Sequence, residues 1–439
     1  MYEIRKVETD MELLEKVLSK ENLNNAYKQV YKNKGASGVD GVTVEELFAY
    51  IKEHKEEILW QIRNRKYKPQ PVRRVYIPKE NGKMRKLGIP SVIDRVIQQA
   101  IVQVLTPIYE EQFSNNSYGF RPNRSCEMAV IKALEYFNDG YDWIVDIDLQ
   151  SFFDEVNQDK LIGIIRRSVK DGDLVSLIRK FLQSGVMEKG VIQETKKGTP
   201  QGGNLSPLLS NIMLNELDKE LDKELEKRGL NFVRYADDCL IMVKSEKAAN
   251  RVMESITTFI TKKLGLIVNV EKSKVARPNQ IKYLGFGFYK KINQNIWRPK
   301  PHIKSIEKFK LKLKSILVRS RSISLDERLL KLKQLIYGWI NYFRIADMKM
   351  LMKEIDHWIR RKLRVIIWKQ WKKIRKRYTS LRKLGISHRD AYVTSNSRRG
   401  YYHIAHTRAL EQAISKERLN KRGLVILLDH YLKVHIITN

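Results

Sequence analysis

Two adjacent aspartates, Asp237 and Asp238, interrupt an apolar run in the segment NFVRYADDCLIMVK. The residues on either side are rich in β-branched and aromatic side chains, which predicts two short strands joined by a tight turn. Hairpin turns favour glycine, yet this turn has none and places two like charges side by side. A divalent cation would neutralise that repulsion. From this segment alone, an ordinary Asp-containing turn is equally consistent with the pattern.

The charge balance of the chain points to a polyanionic partner. Its 439 residues include 84 Lys and Arg against 50 Asp and Glu, a formal net charge of +34. Nucleic acid is the partner that such an excess favours. A membrane-surface protein is the alternative, but its cations would form one cluster, whereas here they spread along the chain. No apolar run has transmembrane length, so we expect no membrane association. The length predicts two to four subdomains.

Other residue types exclude several classes of protein. The two cysteines, Cys126 and Cys239, are too few for a disulfide scaffold or a thiolate zinc site, and they favour a reducing cytoplasmic setting. The sequence contains no HExxH pair and no GxxxxGKS/T loop. Their absence argues against a metalloprotease and a P-loop NTPase. Any chemistry must therefore rest on carboxylates and basic side chains.

A second acidic cluster lies in the segment YDWIVDIDLQSFFDEVN. The residues from Trp143 to Leu149 predict a strand in which Asp146 and Asp148 share one face, because side chains alternate along a strand. Carboxylates are disfavoured in a strand unless their face is solvated or binds a cation. We expect Asp154, just beyond, to cap the following helix.

Two further segments carry cations or glycines. VRRVYIPKENGKMRKLGIP predicts a basic hairpin, whose cations either form a solvated edge or bind phosphate. KKGTPQGGNLSPLLSN begins as a glycine-rich loop and becomes a helix. Its glycines permit close approach of a base or a phosphate, although an ordinary flexible loop is also compatible with the pattern.

The order of strand, helices, hairpin, helix and strands predicts an α+β fold, whose antiparallel sheet can gather Asp148, Asp237 and Asp238. Clustered carboxylates on such a sheet are suited to phosphoryl transfer with two Mg²⁺ ions. From Pro301 onward the sequence becomes helical and rich in Trp, Lys and Arg, so we place a boundary near residue 300. The tryptophans recur at helical spacing and favour a core, while the basic face favours a polyanion surface.

These motifs resemble, in order and over nearly the whole chain, those of group II intron reverse transcriptases, also called maturases. RYADDCLIMV resembles the polymerase Y-x-D-D hairpin, VDIDLQSFFDEV the first catalytic motif, and LIYGWINYF the start of the maturase region. The resemblance implies a right-hand polymerase with fingers and an antiparallel-sheet palm, followed by an α-helical thumb or maturase domain. It implies four ranges: 1–90 for the N-terminal extension and fingers, 91–300 for the palm with the remaining fingers elements, 301–385 for the thumb or maturase domain, and 386–439 for a short C-terminal nucleic-acid-binding segment.

The resemblance also assigns roles to individual residues. The catalytic ligands of two Mg²⁺ ions would be Asp148, Asp237 and Asp238, and Leu149 would belong to the same metal site. The nucleotide-binding residues would be Lys79, Arg85, Phe153, Gln201 and Lys272. Tyr235 and Gly202 would contact the template and primer. Asp146 is the rival of Asp148, which we favour because Phe153, the expected gate against a ribose 2′-hydroxyl, then has the spacing typical of the family.

The function implied is RNA-directed DNA synthesis on an RNA template from a DNA primer with deoxynucleoside triphosphates (dNTPs). The family also binds group II intron RNA and assists splicing and mobility, here within a bacterial cytoplasmic ribonucleoprotein. Many members end in a His- and Cys-rich nuclease domain, and since both cysteines lie upstream we expect the compact type without it. A noncatalytic RNA-binding splicing cofactor and a related reverse transcriptase recruited to defence are the alternatives. The sequence leaves a monomer and a homodimer equally open.

Overall fold

A computed structural model describes residues 12–78, 82, 84–200 and 202–437. The chain divides into two compact units, one ending at Arg277 and one beginning at Pro278. The predicted boundary near residue 300 falls inside the second unit. Lys79 and Gln201, two of the predicted nucleotide-binding residues, lie outside the described ranges.

The first unit contains ten α-helices and eight strands within the described ranges. The helices are α1 Leu13–Leu18, α2 Lys20–Asn33, α3 Leu47–Arg63, α4 Val92–Glu110, α5 Cys126–Asn138, α6 Phe152–Glu155, α7 Gln158–Ser168, α8 Gly172–Leu182, α9 Ser206–Arg228 and α10 Glu246–Thr258, which a π-helical turn, Phe259–Leu264, extends. The strands are β1 Val72–Pro78, β2 Met84–Ile89, β3 Trp143–Ile147, β4 Val186–Glu188, β5 Val191–Gln193, β6 Asn231–Tyr235, β7 Asp238–Val243 and β8 Lys274–Ala276.

The central sheet of this unit has the strand order β6-β7-β3-β8, and every neighbouring pair is antiparallel. Strand β3 pairs Val145 with Ile241 and Ile147 with Cys239. These four side chains belong to the main hydrophobic core of the unit. Because side chains alternate along a strand, the opposite face carries the acidic residues. The predicted antiparallel sheet is therefore present.

The basic hairpin forms a second sheet, with the order β2-β1-β4-β5. Strands β1 and β2 are antiparallel and pair Ile77 with Arg85, as the sequence predicts. Strand β1 also pairs in parallel with the short strand β4. Helix α4 begins directly after the hairpin, where the hydroxyl oxygen of its cap, Ser91, accepts a hydrogen bond from the Asp94 amide. The first backbone amides of a helix have no acceptor within the helix, and this cap supplies one of them with a partner. The sequence predicts Ser91 as the cap, and the structure confirms it.

Two details of the first unit differ from the sequence prediction. Strand β3 ends at Ile147, so Asp148 and Leu149 lie just beyond it, and Leu149 forms an isolated bridge with Val268. The prediction that Asp154 caps the next helix is wrong. Asp154 lies within the single-turn helix α6, and the side chain of Asn157 caps α7 by accepting from the Lys160 amide.

The second unit is a two-stranded sheet followed by helices. The antiparallel strands are β9 Phe286–Lys291 and β10 Ile296–Pro301. The helices are α11 Ile303–Ile316, α12 Leu325–Tyr342, α13 Lys349–Gln370, α14 Ile374–Lys383, α15 His388–Asn396, α16 Tyr401–Ile404, α17 Arg408–Ala413, α18 Lys416–Lys421 and α19 Leu427–Val434. Short single-turn 3₁₀ helices span Pro278–Gln280 and Ile292–Gln294.

The C-terminal range 386–439 is folded within the second unit as far as it is described. The carboxylate of Asp356 on α13 accepts the amides of Leu427 and Leu428 at the start of α19, at 2.8 and 3.0 Å. Trp368 of α13 is buried, in agreement with a core role for that tryptophan. Across the described ranges of the chain, no helix is both long and apolar enough to cross a bilayer.

Candidate active site

The Asp237–Asp238 pair lies at a two-residue turn between β6 and β7. Tyr235 pairs with Asp238 in the hairpin register, which leaves Ala236 and Asp237 as the turn residues. Ala236 has a φ of 56°, a left-handed conformation that glycine adopts more easily than alanine. The turn therefore needs support from outside the hairpin.

Asp148 lies next to this turn across the central sheet. Since Ile147 pairs with Cys239 in antiparallel register, one further step places Asp148 opposite Asp238. The backbone of Asp148 is fixed from the segment that precedes β8. The Asn269 amide donates to the Asp148 carbonyl at 2.8 Å, and the Asp148 amide donates to the Ser273 hydroxyl oxygen at 3.0 Å. The Asp148 carboxylate accepts from Lys272 Nζ at 3.1 Å.

Charged residues from three parts of the chain affect the pKa of Asp237. Burial raises the pKa of its carboxyl above the ordinary value, and the negative charge of Asp148 raises it further. The positive charges of Arg85 and Arg234 act in the opposite direction. Arg85 comes from the hairpin β1–β2, so the fingers-like sheet contributes a cation to the same site. The structure thus brings together four of the side chains expected there: Asp148, Asp237, Arg85 and Lys272.

The rival carboxylate, Asp146, has different surroundings from Asp148. Burial raises its pKa to about 6, Lys274 lowers it, and the charge of Asp148 raises it. Asp146 pairs with Leu240 inside the sheet, whereas Asp148 follows the strand end beside the turn. Asp148 therefore lies beyond the paired part of the strand, and one third of its side chain is exposed.

The donor atoms of the site are chemically suited to Mg²⁺, which prefers carboxylate oxygens and commonly takes only one or two protein carboxylates beside substrate oxygens. Within the described ranges, no group of three or more His, Cys, Asp or Glu side chains is arranged so that it could hold a metal ion by itself. A site that shares its cation with substrate phosphates needs no such group. The carboxylates present therefore fit Mg²⁺, with Lys272 occupying one oxygen of Asp148.

The glycine-rich loop contacts two chain segments, at Phe153 and at Gly88. The Thr199 amide donates to the Phe153 carbonyl at 2.6 Å, and a side chain at Gly198 would meet the same carbonyl at 2.8 Å. Gly202 has a φ of +113°, and a Cβ atom there would lie 2.5 Å from the carbonyl oxygen of Gly88 in β2. The loop therefore connects the predicted gate residue to the basic hairpin.

The remaining predicted residues flank this centre. The ring of Phe153 packs edge-on against that of Phe152, with centroids 5.3 Å apart. Tyr235 is partly buried at the end of β6, and burial raises the pKa of its hydroxyl. No described contact assigns a bound molecule to either residue, so their roles stay predictions.

The sequence interpretation missed a buried polar network beneath the turn. Arg234 and Asp218 form an ion pair in which both side chains are 0% exposed. The same guanidinium donates to the Ala236 carbonyl at 2.7 Å and to Ser117 Oγ at 2.8 Å. An arginine next to Phe232 and Val233 in β6, and an aspartate at helical spacing from Leu214 and Leu221 in α9, were signals that each needed a partner.

Two parts of the chain match known protein families. Residues 77–288 match the family model described as "Reverse transcriptase (RNA-dependent DNA polymerase)". Residues 306–385 match the model "Group II intron, maturase-specific domain". The first match contains the carboxylates, the glycine-rich loop and most of the basic hairpin. The second lies within the helices of the second unit.

Two curated relatives and one solved structure illustrate the similarity. The group II intron-encoded protein LtrA of Lactococcus lactis subsp. cremoris is 43% identical over 188 residues, which are 43% of this chain and 31% of LtrA. Protein YkfC of Escherichia coli is 33% identical, and the match covers 61% of this chain and 80% of YkfC. The chain thus spans less than a third of LtrA. A chain of a partial Cas6-RT-Cas1–Cas2 complex matches at 22% identity with a TM-score of 0.36, and the match covers 59% of this chain and 44% of that chain.

Proposed function

The chain belongs to the family of group II intron reverse transcriptases, and from this membership we propose that it is an RNA-directed DNA polymerase. It extends a DNA primer along an RNA template and consumes dNTPs. It also binds group II intron RNA and assists splicing and mobility, in a ribonucleoprotein of the bacterial cytoplasm. Its monomeric or homodimeric state is a separate question for solution measurements.

The position of Asp148 beside the Asp237–Asp238 turn is the observation that carries the proposal, since Ile147, just before Asp148, pairs with Cys239, just after the turn. The charge of Asp148 raises the pKa of Asp237, so the two carboxylates oppose each other's ionisation. Holding two such anions together in a largely buried place is costly unless cations compensate them. The basic hairpin and Lys272 bring cations to the same place, and an Mg²⁺-bound triphosphate would complete the compensation.

Asp148, Asp237 and Asp238 would hold Mg²⁺, with Leu149 at the same site. Bound Mg²⁺ supplies activation of the primer 3′-hydroxyl and neutralisation of charge on the leaving pyrophosphate. Arg85 and Lys272 bind the triphosphate and stabilise the negative charge that develops on it as the bond to the leaving group breaks. Lys79 and Gln201 share this nucleotide-binding role.

The other residues orient the substrates. Phe153 excludes a ribose 2′-hydroxyl from the sugar position, and the hydrogen bond from Thr199 to its carbonyl fixes its backbone. Gly202 lets the loop lie flat against Gly88, so that the template base and the incoming base can approach the backbone. Tyr235 supports the primer end beside the turn. Correct placement of reacting groups of this kind contributes strongly to rate.

Primer extension tests the polymerase assignment. The purified chain is incubated with poly-rA/oligo-dT, and separately with a natural RNA and a DNA primer, in Mg²⁺ and in EDTA. We expect DNA synthesis that requires the metal ion. Asp237→Ala with Asp238→Ala should abolish extension and leave RNA binding intact, because RNA binding depends on the cationic surface of the whole chain.

A control pair of exposed carboxylates on α3, Glu53→Ala with Glu56→Ala, should keep both activities. Extension that survives the loss of both turn aspartates would disprove the catalytic assignment. RNA binding without any metal-dependent DNA product would instead support the noncatalytic splicing cofactor. The match to the maturase-specific model over residues 306–385 favours an intron role over recruitment to defence.

A further inference from the structure

We propose that Arg234 is a positioning residue for the catalytic turn: its buried guanidinium anchors the Ala236 carbonyl to helix α9, and thereby holds the adjacent Asp237 in place. The proposal rests on the proposed function, since it assumes that Asp237 binds the catalytic metal ion. It adds a residue that is not itself a ligand and touches no substrate.

The hydrogen bonds of Arg234 account for every N–H group of its guanidinium. Nε and Nη2 donate to the two oxygens of Asp218, and the Nε bond measures 2.7 Å. Nη1 donates to Asn211 Oδ1 at 3.1 Å and to the Ala236 carbonyl at 2.7 Å, and Nη2 donates to Ser117 Oγ at 2.8 Å. These five bonds match the five donors of the side chain. A fully satisfied buried network of this kind fixes one conformation.

The turn depends on this anchor because its own sequence does not favour its shape. Ala236 has a φ of 56° and is 7% exposed. Alanine rarely adopts this conformation unless its surroundings enforce it. The bond from Arg234 fixes the carbonyl of Ala236, which is one half of the peptide group that leads into Asp237. Anchoring this peptide therefore restricts where the Asp237 carboxylate can point.

A second chain segment, residues 116–119, also holds the turn. The amide of Arg234 donates to the Asn116 carbonyl at 2.9 Å, and the Tyr118 amide donates to the Arg234 carbonyl at 2.8 Å. Gly119 then touches the turn itself, because a Cβ atom at Gly119 would overlap the backbone nitrogen of Ala236. Asn211, which accepts from Arg234, also donates to the Gly119 carbonyl at 2.7 Å. The hydrogen-bond network of Arg234 thus includes this second segment as well as the turn.

Stability alone does not explain this arrangement. Replacing a buried ion pair with apolar residues of similar volume is often neutral or stabilising. Burying Arg234 against Asp218 therefore adds little to the free energy of unfolding, because removing two charges from water is costly. The bond from Arg234 Nη1 to the Ala236 carbonyl, at 2.7 Å, connects this buried ion pair directly to the turn. An arginine that fixes the shape of the turn accounts for the arrangement.

The test compares Arg234→Lys with the wild-type chain. Lysine keeps a cation beside Asp218, but it has only three donors and no planar fork, so it cannot bind all five acceptors. We expect kcat for primer extension to fall about 10- to 100-fold, because a slightly misplaced reacting group costs this much. The Mg²⁺ concentration for half-maximal rate should rise about 10-fold, as for other losses of support to a metal ligand. The KM for the template-primer should not change.

Rescue and a matched control separate positioning from general damage. Ala236→Gly in the Arg234→Lys background should recover part of the lost kcat, because glycine adopts positive φ without support. Arg328→Lys replaces an equally buried arginine of the second unit, which donates to the carbonyls of Val318 and Arg321. This control should lower the melting temperature without changing the Mg²⁺ dependence.

Hydrogen–deuterium exchange of the peptide covering residues 232–239 gives a readout that does not need activity. Arg234→Lys should speed exchange there and not in the hairpin β1–β2. An inactive wild-type chain would reject the proposed polymerase and leave the exchange result to judge the anchor. An active wild-type chain whose Arg234→Lys variant shows unchanged kcat, Mg²⁺ dependence and exchange would overturn the positioning role.

Discussion

The ammonium nitrogen of Lys272 lies 3.1 Å from Oδ2 of Asp148, across 124 residues of sequence. The lysine belongs to the segment that also fixes the Asp148 backbone through Asn269 and Ser273. One short segment therefore positions a carboxylate and supplies its counter-charge. On the proposed function, the same ammonium group would bind phosphate oxygens of a triphosphate while Asp148 would bind Mg²⁺.

Lys272→Met should therefore weaken nucleotide use. We expect the KM for dNTPs to rise and kcat/KM to fall about 10- to 100-fold, because a preorganised cation that stabilises developing negative charge is lost. Steady-state primer extension measures both parameters. Lys247→Met, which removes an exposed lysine from α10, is the matched control and should behave as wild type. Equal losses in the two variants would show that net charge matters and not the position of Lys272.

The assignment of Asp148 over Asp146 has its own test. Asp148→Asn should reduce primer extension about 100- to 1000-fold, because the metal site loses a charged ligand at the strand end. Asp146→Asn should keep extension near the wild-type level, since Asp146 pairs inside the sheet with Leu240. Single-turnover extension at saturating Mg²⁺ measures the difference. The reverse result, with Asp146→Asn the inactive variant, would exchange the two roles.

The raised pKa of Asp146 predicts a pH dependence of stability. Its pKa is about 6 in the folded chain against an ordinary 3.8, so the folded state holds this proton more tightly than the unfolded state. The contribution of Asp146 to the free energy of unfolding should then decrease as pH rises from about 4 to about 6, by at most about 3 kcal/mol.

Urea unfolding of the wild type and Asp146→Asn at several pH values measures this effect. Asparagine cannot ionise, so the variant should gain stability relative to the wild type as pH rises through this range and hold that gain above about pH 6. Subtracting the two curves cancels the other titrating groups. A difference that does not depend on pH would contradict a raised pKa at Asp146.

Gly202→Ala should damage the contact between the glycine-rich loop and the basic hairpin. An added methyl group would lie 2.5 Å from the Gly88 carbonyl oxygen, so the loop must shift away from β2. We expect the KM for dNTPs to rise about 10-fold or more, because displaced binding groups no longer converge on the nucleotide. Primer extension over a range of dNTP concentrations measures this change.

Gly190→Ala is the matched control for Gly202→Ala. Gly190 also has positive φ, +83°, but a Cβ atom there meets no atom within 4 Å. Both variants suffer the same kind of backbone strain, and only Gly202→Ala adds a clash. Similar kinetic losses in both would attribute the effect to strain and not to the contact with Gly88.

Local patterns in the sequence determined much of this protein. The apolar runs around Asp237 and Asp238 specify two strands, because β-forming side chains and alternation are properties of neighbouring residues. The same holds for the basic hairpin and for the cap of α4 at Ser91. Motifs in their order were enough to predict the antiparallel sheet and the carboxylates that it gathers. The cap assigned to Asp154 failed because several polar residues before α7 can cap a helix, and the fold selected Asn157.

Only the tertiary structure decided which distant residues support the site. Arg234 bonds Ser117 across 117 positions and Lys272 bonds Asp148 across 124, and no local pattern specifies such pairings. The contact of Gly202 with Gly88 likewise joins a loop to a strand of another sheet. A buried charge needs a partner, but its identity depends on which chain segments pack together. The sequence therefore determined the Asp237–Asp238 turn itself, whereas packing decided what holds that turn in place.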